Sequence, residues 1–140
     1  EKILDQMSDS YNIDLSRVFV SGHSRGAALS IIAAFERPDI FAGYCAHAGF
    51  IGSNDYDERI TELTSSGLRV PGVMVHGEMD PDVIVQESDA LNALLSEAGW
   101  DYGDDWLYLK VPNATHEWQS QYNQQVWDFL YEHPNSMVQQ

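Results

Sequence analysis

Ile3, Leu4, Met7 and Tyr11 recur every three or four residues, the spacing that lines one face of a helix over 1–11. Asn12-Ile13-Asp14 ends that helix, and 14–17 turn into Val18-Phe19-Val20, an apolar run of strand type. From Ala27 small and apolar residues continue at helical length to about Arg37, where Pro38-Asp39 stops the helix. Three further apolar runs have the length of buried strands: 41–48, 70–77 and 106–111. Pro71 stands at the entrance of the second, where a missing N–H is tolerated. The stretch 50–69 is polar and holds Gly52, Ser53, Asn54, Ser65, Ser66 and Gly67. It reads as a long excursion with one helical turn near 58–63, either a cap over a pocket or a plain solvated connection. The pattern then predicts a helix over 83–98, with Val83, Leu91, Leu94 and Leu95 inward and Gly99 as its C-terminal stop. A last helix over 118–132 carries Tyr122, Val126, Phe129 and Leu130 on one stripe. The polar tail from Pro134 is expected to fray. Strands alternating with helices predict an α/β fold, a parallel sheet covered on both faces in three layers. In such sheets sites form beyond the carboxyl ends of the strands.

Composition narrows the partners. The 140 residues hold 22 Asp and Glu against 7 Lys and Arg, a formal net charge of −15. An acidic surface repels nucleic acid and anionic membrane, so neither is expected as a partner. No apolar run is long enough for a transmembrane helix. Cys45 is the only cysteine, so no internal disulfide can form and cysteine-based metal sites are excluded. Its apolar surroundings point to a buried, inert thiol. The chain does not open on methionine, so it is expected to be a mature product or an excised piece, and its start says nothing of localisation.

The first strand runs straight into Gly22-His23-Ser24-Arg25-Gly26, the G-x-S-x-G pattern that holds a serine hydroxyl exposed on a strained turn above a sheet. A strand turning at once into a helix brings two backbones together, so a Cβ at either flanking glycine is expected to collide. The helix that follows would aim free N–H groups at Ser24, with the N–H of Arg25 placed to hold an oxyanion. A glycine-rich turn with an idle serine is the bland reading, and strand, elbow and helix in succession weigh against it.

A serine hydroxyl needs a base to take its proton, usually a histidine oriented by a carboxylate. His76-Gly77-Glu78-Met79-Asp80-Pro81-Asp82 follows the third strand, and Asp80 is favoured there as the orienting acid over Asp82 and Glu78. A competing role for Asp80 is to cap the helix beginning near Val83, though Asp82 is closer for that job. His116, in the loop after the fourth strand, completes the chain order serine, acid, histidine. Of the other histidines, His23 lies inside the elbow, His47 and His76 are in or beside buried strands, and His133 is near the end. His23 and Trp118 flank the expected centre and are the candidate substrate contacts. A metal site built from His47, His76 and acids has no close ligand spacing behind it, so no metal and no cofactor are expected. Asn113-Ala114-Thr115 matches a glycosylation acceptor, but a glycan there would obstruct His116, so it is expected to stay unmodified.

These residues carry a resemblance. Tyr11-Asn12-Ile13-Asp14, Arg17 through Gly26, Pro38-Asp39 with Phe41-Ala42-Gly43, His76-Gly77 with Asp80 and Val83, and Thr115-His116 with Trp118 resemble the C-terminal half of an α/β-hydrolase. The likeness is nearest to polyhydroxybutyrate depolymerases and feruloyl or acetylxylan esterases. It implies Ser24 as nucleophile, Asp80 as acid and His116 as base, an ester substrate that is small or polymer-linked, and a secreted location. Such hydrolases carry further strands upstream of the elbow, including a loop with a second oxyanion N–H. Here about ten helical residues precede the elbow strand, so the upstream half is expected as a separate chain, a partner protomer or a further segment. Ester hydrolysis through an acyl-enzyme is the expected chemistry. A peptidase or thioesterase on the same scaffold, or a non-catalytic module, are the rivals.

Overall fold

In a computed structural model, which describes residues 2–52 and 56–138, four strands form one parallel sheet in the order β1-β2-β3-β4. They are β1 (Phe19–His23), β2 (Gly43–His47), β3 (Gly72–Gly77) and β4 (Trp106–Val111). Five helices accompany them: α1 (Lys2–Ser8), α2 (Arg25–Glu36), α3 (Tyr56–Ser65), α4 (Gln86–Glu97) and α5 (Asn123–Tyr131). The two-residue period of the strands sorts the core into two faces. Tyr44, Ala46 and Met74 pack with Ala27, Ile31 and Phe35 of α2, Ile60 and Leu63 of α3, and Leu91 and Leu95 of α4. Cys45, Val73, Val75 and Val111 pack on the opposite side with Val126, Phe129 and Leu130 of α5. The result is the three-layer arrangement the alternation predicts.

Strand register decides which side chains share a rim. In the β1–β2 ladder His23 stands opposite His47, and in the β3–β4 ladder His76 stands opposite Lys110. The carboxyl ends of the strands therefore bring three histidine-bearing termini and the 112–119 loop to one rim.

Several expectations are corrected. The helix expected over 1–11 ends at Ser8, and its apolar side is not buried: Ile3 is 75% exposed, and Met7 and Tyr11 are exposed too. The region of 50–69 contains a full helix, α3, rather than one turn, because Tyr56, Ile60 and Leu63 fall at helical spacing and bury against the sheet. Ser53 and Asn54 of that stretch lie outside the described residues. The last helix starts at Asn123, not near 118, after a short 3₁₀ turn over Ser120–Tyr122. The tail is tied down at Asn135, whose backbone N–H donates to the Ser16 carbonyl at 2.8 Å and whose Nδ2 donates to the Pro38 carbonyl at 2.7 Å.

β1 pairs only with β2 among the described residues, so its other edge is free. Apolar side chains of the flanking helices are exposed: Leu29 of α2 is 64% exposed, and Trp127 of α5 sits edge-on to Phe19 and is half exposed. A shallow groove of about 420 Å³ lies between β1 and α5, lined by Phe19, Ser21, Cys45 and Trp127 among others.

Candidate active site

Ser24 sits at the corner between β1 and α2 with φ 58° and ψ −120°, a backbone region that side-chain-bearing residues rarely occupy. Three backbone hydrogen bonds hold it there. Its N–H donates to the His47 carbonyl at 2.9 Å, and its carbonyl accepts from the N–H groups of Ala27 and Ala28 in the first turn of α2. Gly22 is required by close approach: a Cβ there would lie 2.2 Å from the carbonyl carbon and oxygen of Gly26. Gly26 differs from the expectation, since a Cβ on it would meet nothing within 4 Å. Only the first glycine of the pair is demanded by crowding, because the helix backbone it faces belongs to the second. Arg25 opens α2, so its N–H is one of the helix-end donors with no partner inside the helix.

The loop that carries Asp80 and the loop that carries His116 meet under a second tight glycine. A Cβ on Gly77 would lie 2.4 Å from the Ala114 carbonyl oxygen, so only a bare backbone lets the two loops touch. Met79 N–H donates to that same Ala114 carbonyl at 3.0 Å. Across this contact Asp80 Oδ2 lies 2.7 Å from His116 Nδ1. Asp80 Oδ1 accepts from the N–H groups of Asp82 and Val83, each at 2.9 Å. Asp80 thus ties down the turn before α4 with one oxygen and faces the imidazole with the other, without capping the helix itself. Asp82 does not cap α4, whose N-cap is Val85 with no side-chain cap bond. Burial alone would raise the Asp80 pKa. The His116 hydrogen bond and the N–H groups of Val83 and Asp82 outweigh that and hold the carboxyl below its usual value. An ionised carboxylate only accepts, so His116 carries its hydrogen on Nδ1 and leaves Nε2 as the basic nitrogen.

His23, next to Ser24 in the chain, lies with its ring 4.6 Å from the His116 ring. Burial, and after it the neighbouring His116, hold the His23 pKa below its ordinary value. Asp80, His116 and His23 are therefore brought together, and Ser24 is one residue away. Among the described residues no hydrogen bond joins Ser24 Oγ to His116.

The family model described as Phospholipase/Carboxylesterase matches residues 1–134. The chain belongs to that family. Over 49 residues it is 41% identical to poly(3-hydroxyalkanoate) depolymerase C of Paucimonas lemoignei, a stretch covering 35% of this chain and 12% of that protein. The fold superposes on a thermostable esterase with a TM-score of 0.74 at 28% identity, over 95% of this chain and 35% of that one. It superposes on Arabidopsis thaliana SOBER1 with a TM-score of 0.69 at 19% identity, over 94% of this chain and 60% of that one. The chain thus spans less than two thirds of the length of each of these proteins. The architecture is that of an α/β-hydrolase.

In this carboxylesterase-family chain Trp118 lies on the loop that carries His116 rather than on a helix. Its indole stacks on His47 with ring centres 3.9 Å apart, its Nε1 donates to Asn123 Oδ1 at 2.9 Å, and it remains 42% exposed. The Gln119 N–H donates to His47 Nδ1 at 3.3 Å, so a buried histidine of β2 anchors the loop that carries His116. Nothing in the sequence distinguishes His47 from any histidine in a buried strand. The strand alternation around Cys45 bears on which face a residue takes, but nothing local shows that Trp118 folds back over His47. His76 is a second neighbour of the site, beside Asp80, that sequence reasoning missed. The i, i+4 spacing of the two is the one available signal. Cys45 is buried, and burial pushes its thiol pKa up to about 12, as expected of an inert thiol. Ligand atoms of Asp80, Asp82 and His116 lie within 4.8 Å of one another. Asp80 and His116 spend theirs on each other, so the trio reads as an acid–base pair with a solvated neighbour. Among the described residues no helix is long and apolar enough to cross a membrane.

Proposed function

We propose that this chain is a serine hydrolase that cleaves carboxylic esters through an acyl-enzyme, with Ser24 as nucleophile, His116 as base and Asp80 as orienting acid. The observation that supports this most is the 2.7 Å contact of Asp80 with His116 at the rim where the elbow strand ends. His116 Nε2 takes the Ser24 hydroxyl proton as Oγ attacks the ester carbonyl carbon. The Arg25 N–H is aimed at the resulting oxyanion. Collapse expels the alcohol, which leaves with the proton from His116, and water repeats the sequence to release the acid. His23 and Trp118 stand beside the centre and would touch the substrate, Trp118 being partly exposed there. A fluorophosphonate probe is expected to add to the protein once, on the peptide containing Ser24, and to abolish hydrolysis of a short p-nitrophenyl ester. Failure to label Ser24 while turnover continues would remove it from the mechanism. No labelling and no turnover on ester, thioester or amide substrates would fit a non-catalytic module instead.

The same reading extends to the domain. We propose that these residues are the C-terminal portion of one catalytic domain and that further polypeptide of that domain lies along β1 and supplies the second oxyanion N–H. Three facts support this: the free β1 edge, the exposed apolar side chains of α1, α2 and α5, and the greater length of the relatives. The 140 residues alone are expected to self-associate, or to bind the dye ANS strongly. A stable, monodisperse 15.8 kDa monomer that binds no ANS would argue against it.

A further inference from the structure

We propose that His76 is a positioning residue: it pins the turn that carries Asp80 and so sets the hold of Asp80 on His116. The proposal rests on Ser24, Asp80 and His116 being the catalytic set, to which it adds a fourth residue. His76 is the penultimate residue of β3 and is fully buried. Both of its ring nitrogens are engaged. Nε2 lies 2.8 Å from the Val83 carbonyl oxygen, and Nδ1 lies 2.7 Å from Ser88 Oγ on α4. A carbonyl can only accept, so Nε2 carries the hydrogen. In the neutral ring Nδ1 then accepts from the Ser88 hydroxyl. Nε2 also lies 3.3 Å from Asp80 Oδ2, the oxygen that faces His116.

Val83 is the link. Its carbonyl is held by His76 and its N–H donates to Asp80 Oδ1. The order of contacts runs from Ser88 through His76, Val83 and Asp80 to His116, and it ties α4 to the base by way of the sheet. If the ring merely filled space, an apolar side chain of similar size would serve as well. If it pins the turn, removing the Nε2 donor leaves a part-buried carbonyl without its partner, and the turn relaxes to rehydrate it. Asp80 then moves away from His116. A displacement on the order of 1 Å in a catalytic constellation can cost on the order of 100-fold in rate.

His76→Leu removes the donor and keeps the bulk. His76→Gln places an amide N–H near the position of Nε2. The Leu variant is expected to lose on the order of 10- to 100-fold in kcat with KM little changed, and Gln to recover most of it. A second readout does not need activity: the low-field proton resonance of His116 Nδ1–H by NMR. In the Leu variant this resonance should broaden or vanish as Asp80 withdraws from Nδ1. A folded Leu variant with the wild-type resonance would overturn the proposal. Should Leu at 76 fail to fold, Ser88→Ala frees one side of the ring and is expected to broaden the same resonance; an unchanged resonance there would overturn it equally. If every form including wild type is inactive while the resonance responds as described, the hydrolase reading fails and the positioning role stands.

Discussion

Ser24→Ala is expected to lower kcat on a short p-nitrophenyl ester by about 10⁴- to 10⁶-fold without unfolding the protein. The substitution keeps the Cβ, so the backbone at φ 58° is strained to the same degree in both forms. Its N–H bond to His47 and its carbonyl bonds into α2 use backbone atoms and survive. What disappears is the hydroxyl we propose as the nucleophile, at the corner between β1 and α2. Asp80→Asn should cost about 10⁴-fold, because an amide in place of the carboxylate can present an N–H toward Nδ1 and so favour the tautomer whose Nε2 is no longer basic. The two losses should not add: the double variant is expected to be no slower than Ser24→Ala alone, since residues that act as one unit fail as one unit. Steady-state rates of the three variants, with circular dichroism to check the fold, decide it. Turnover within about tenfold of wild type in Ser24→Ala would mean that the nucleophile is elsewhere, whatever the elbow geometry suggests.

The parts of this molecule that are legible in its sequence are those fixed by local periodicity. Trp106–Val111 is the strand its apolar run predicts, and the G-x-S-x-G run lies between a strand and a helix as the sequence predicts. The arrival of acid and base loops at one rim follows from parallel strands alone. What is not legible depends on side chains meeting across the sheet. α3 hides in a polar stretch because only three of its ten residues are buried, and three positions make a weak periodic signal. α1 shows the converse. Its apolar spacing is regular, but nothing among the described residues covers it, so periodicity alone does not say what it packs against. Cap and acid look like rival uses of Asp80 in the sequence; the structure caps α4 with neither Asp80 nor Asp82, and Asp80 divides its two oxygens between the turn before that helix and His116. The last helix begins late because Trp118 is drawn out of helical geometry to lie on His47, a partner on a strand far earlier in the chain.

His47 also sets the second large expectation, an acid-sensitive fold. Its side chain is fully buried, its Nδ1 accepts the Gln119 N–H, and among the described residues its Nε2 has no hydrogen-bond partner. Because Nδ1 is an acceptor, the neutral ring holds its hydrogen on Nε2. A second proton would have to enter at Nδ1, setting donor against donor at Gln119 and charging a ring stacked inside the protein. Burial, and after it the neighbouring His23, lower the pKa from 6.5 to about 4. Between those two values the unfolded chain binds a proton at His47 and the folded chain does not. Stability therefore rises with pH across that window and is lost as pH falls from 6.5 toward 4. At about 1.4 kcal/mol per pH unit the loss from this residue reaches roughly 3 kcal/mol near pH 4, a large share of the roughly 5–15 kcal/mol that holds a typical domain folded. His47→Asn keeps an oxygen near the Nδ1 position to accept from Gln119 and cannot take up a proton in this range. Urea unfolding at a series of pH values should show the wild type losing about 3 kcal/mol more than the variant between about pH 7 and pH 4. Because the carboxylates of both proteins titrate alike, parallel curves would mean that His47 is protonated in the native state at no cost, and that the anchor of the base loop is not the acid-labile point of the fold.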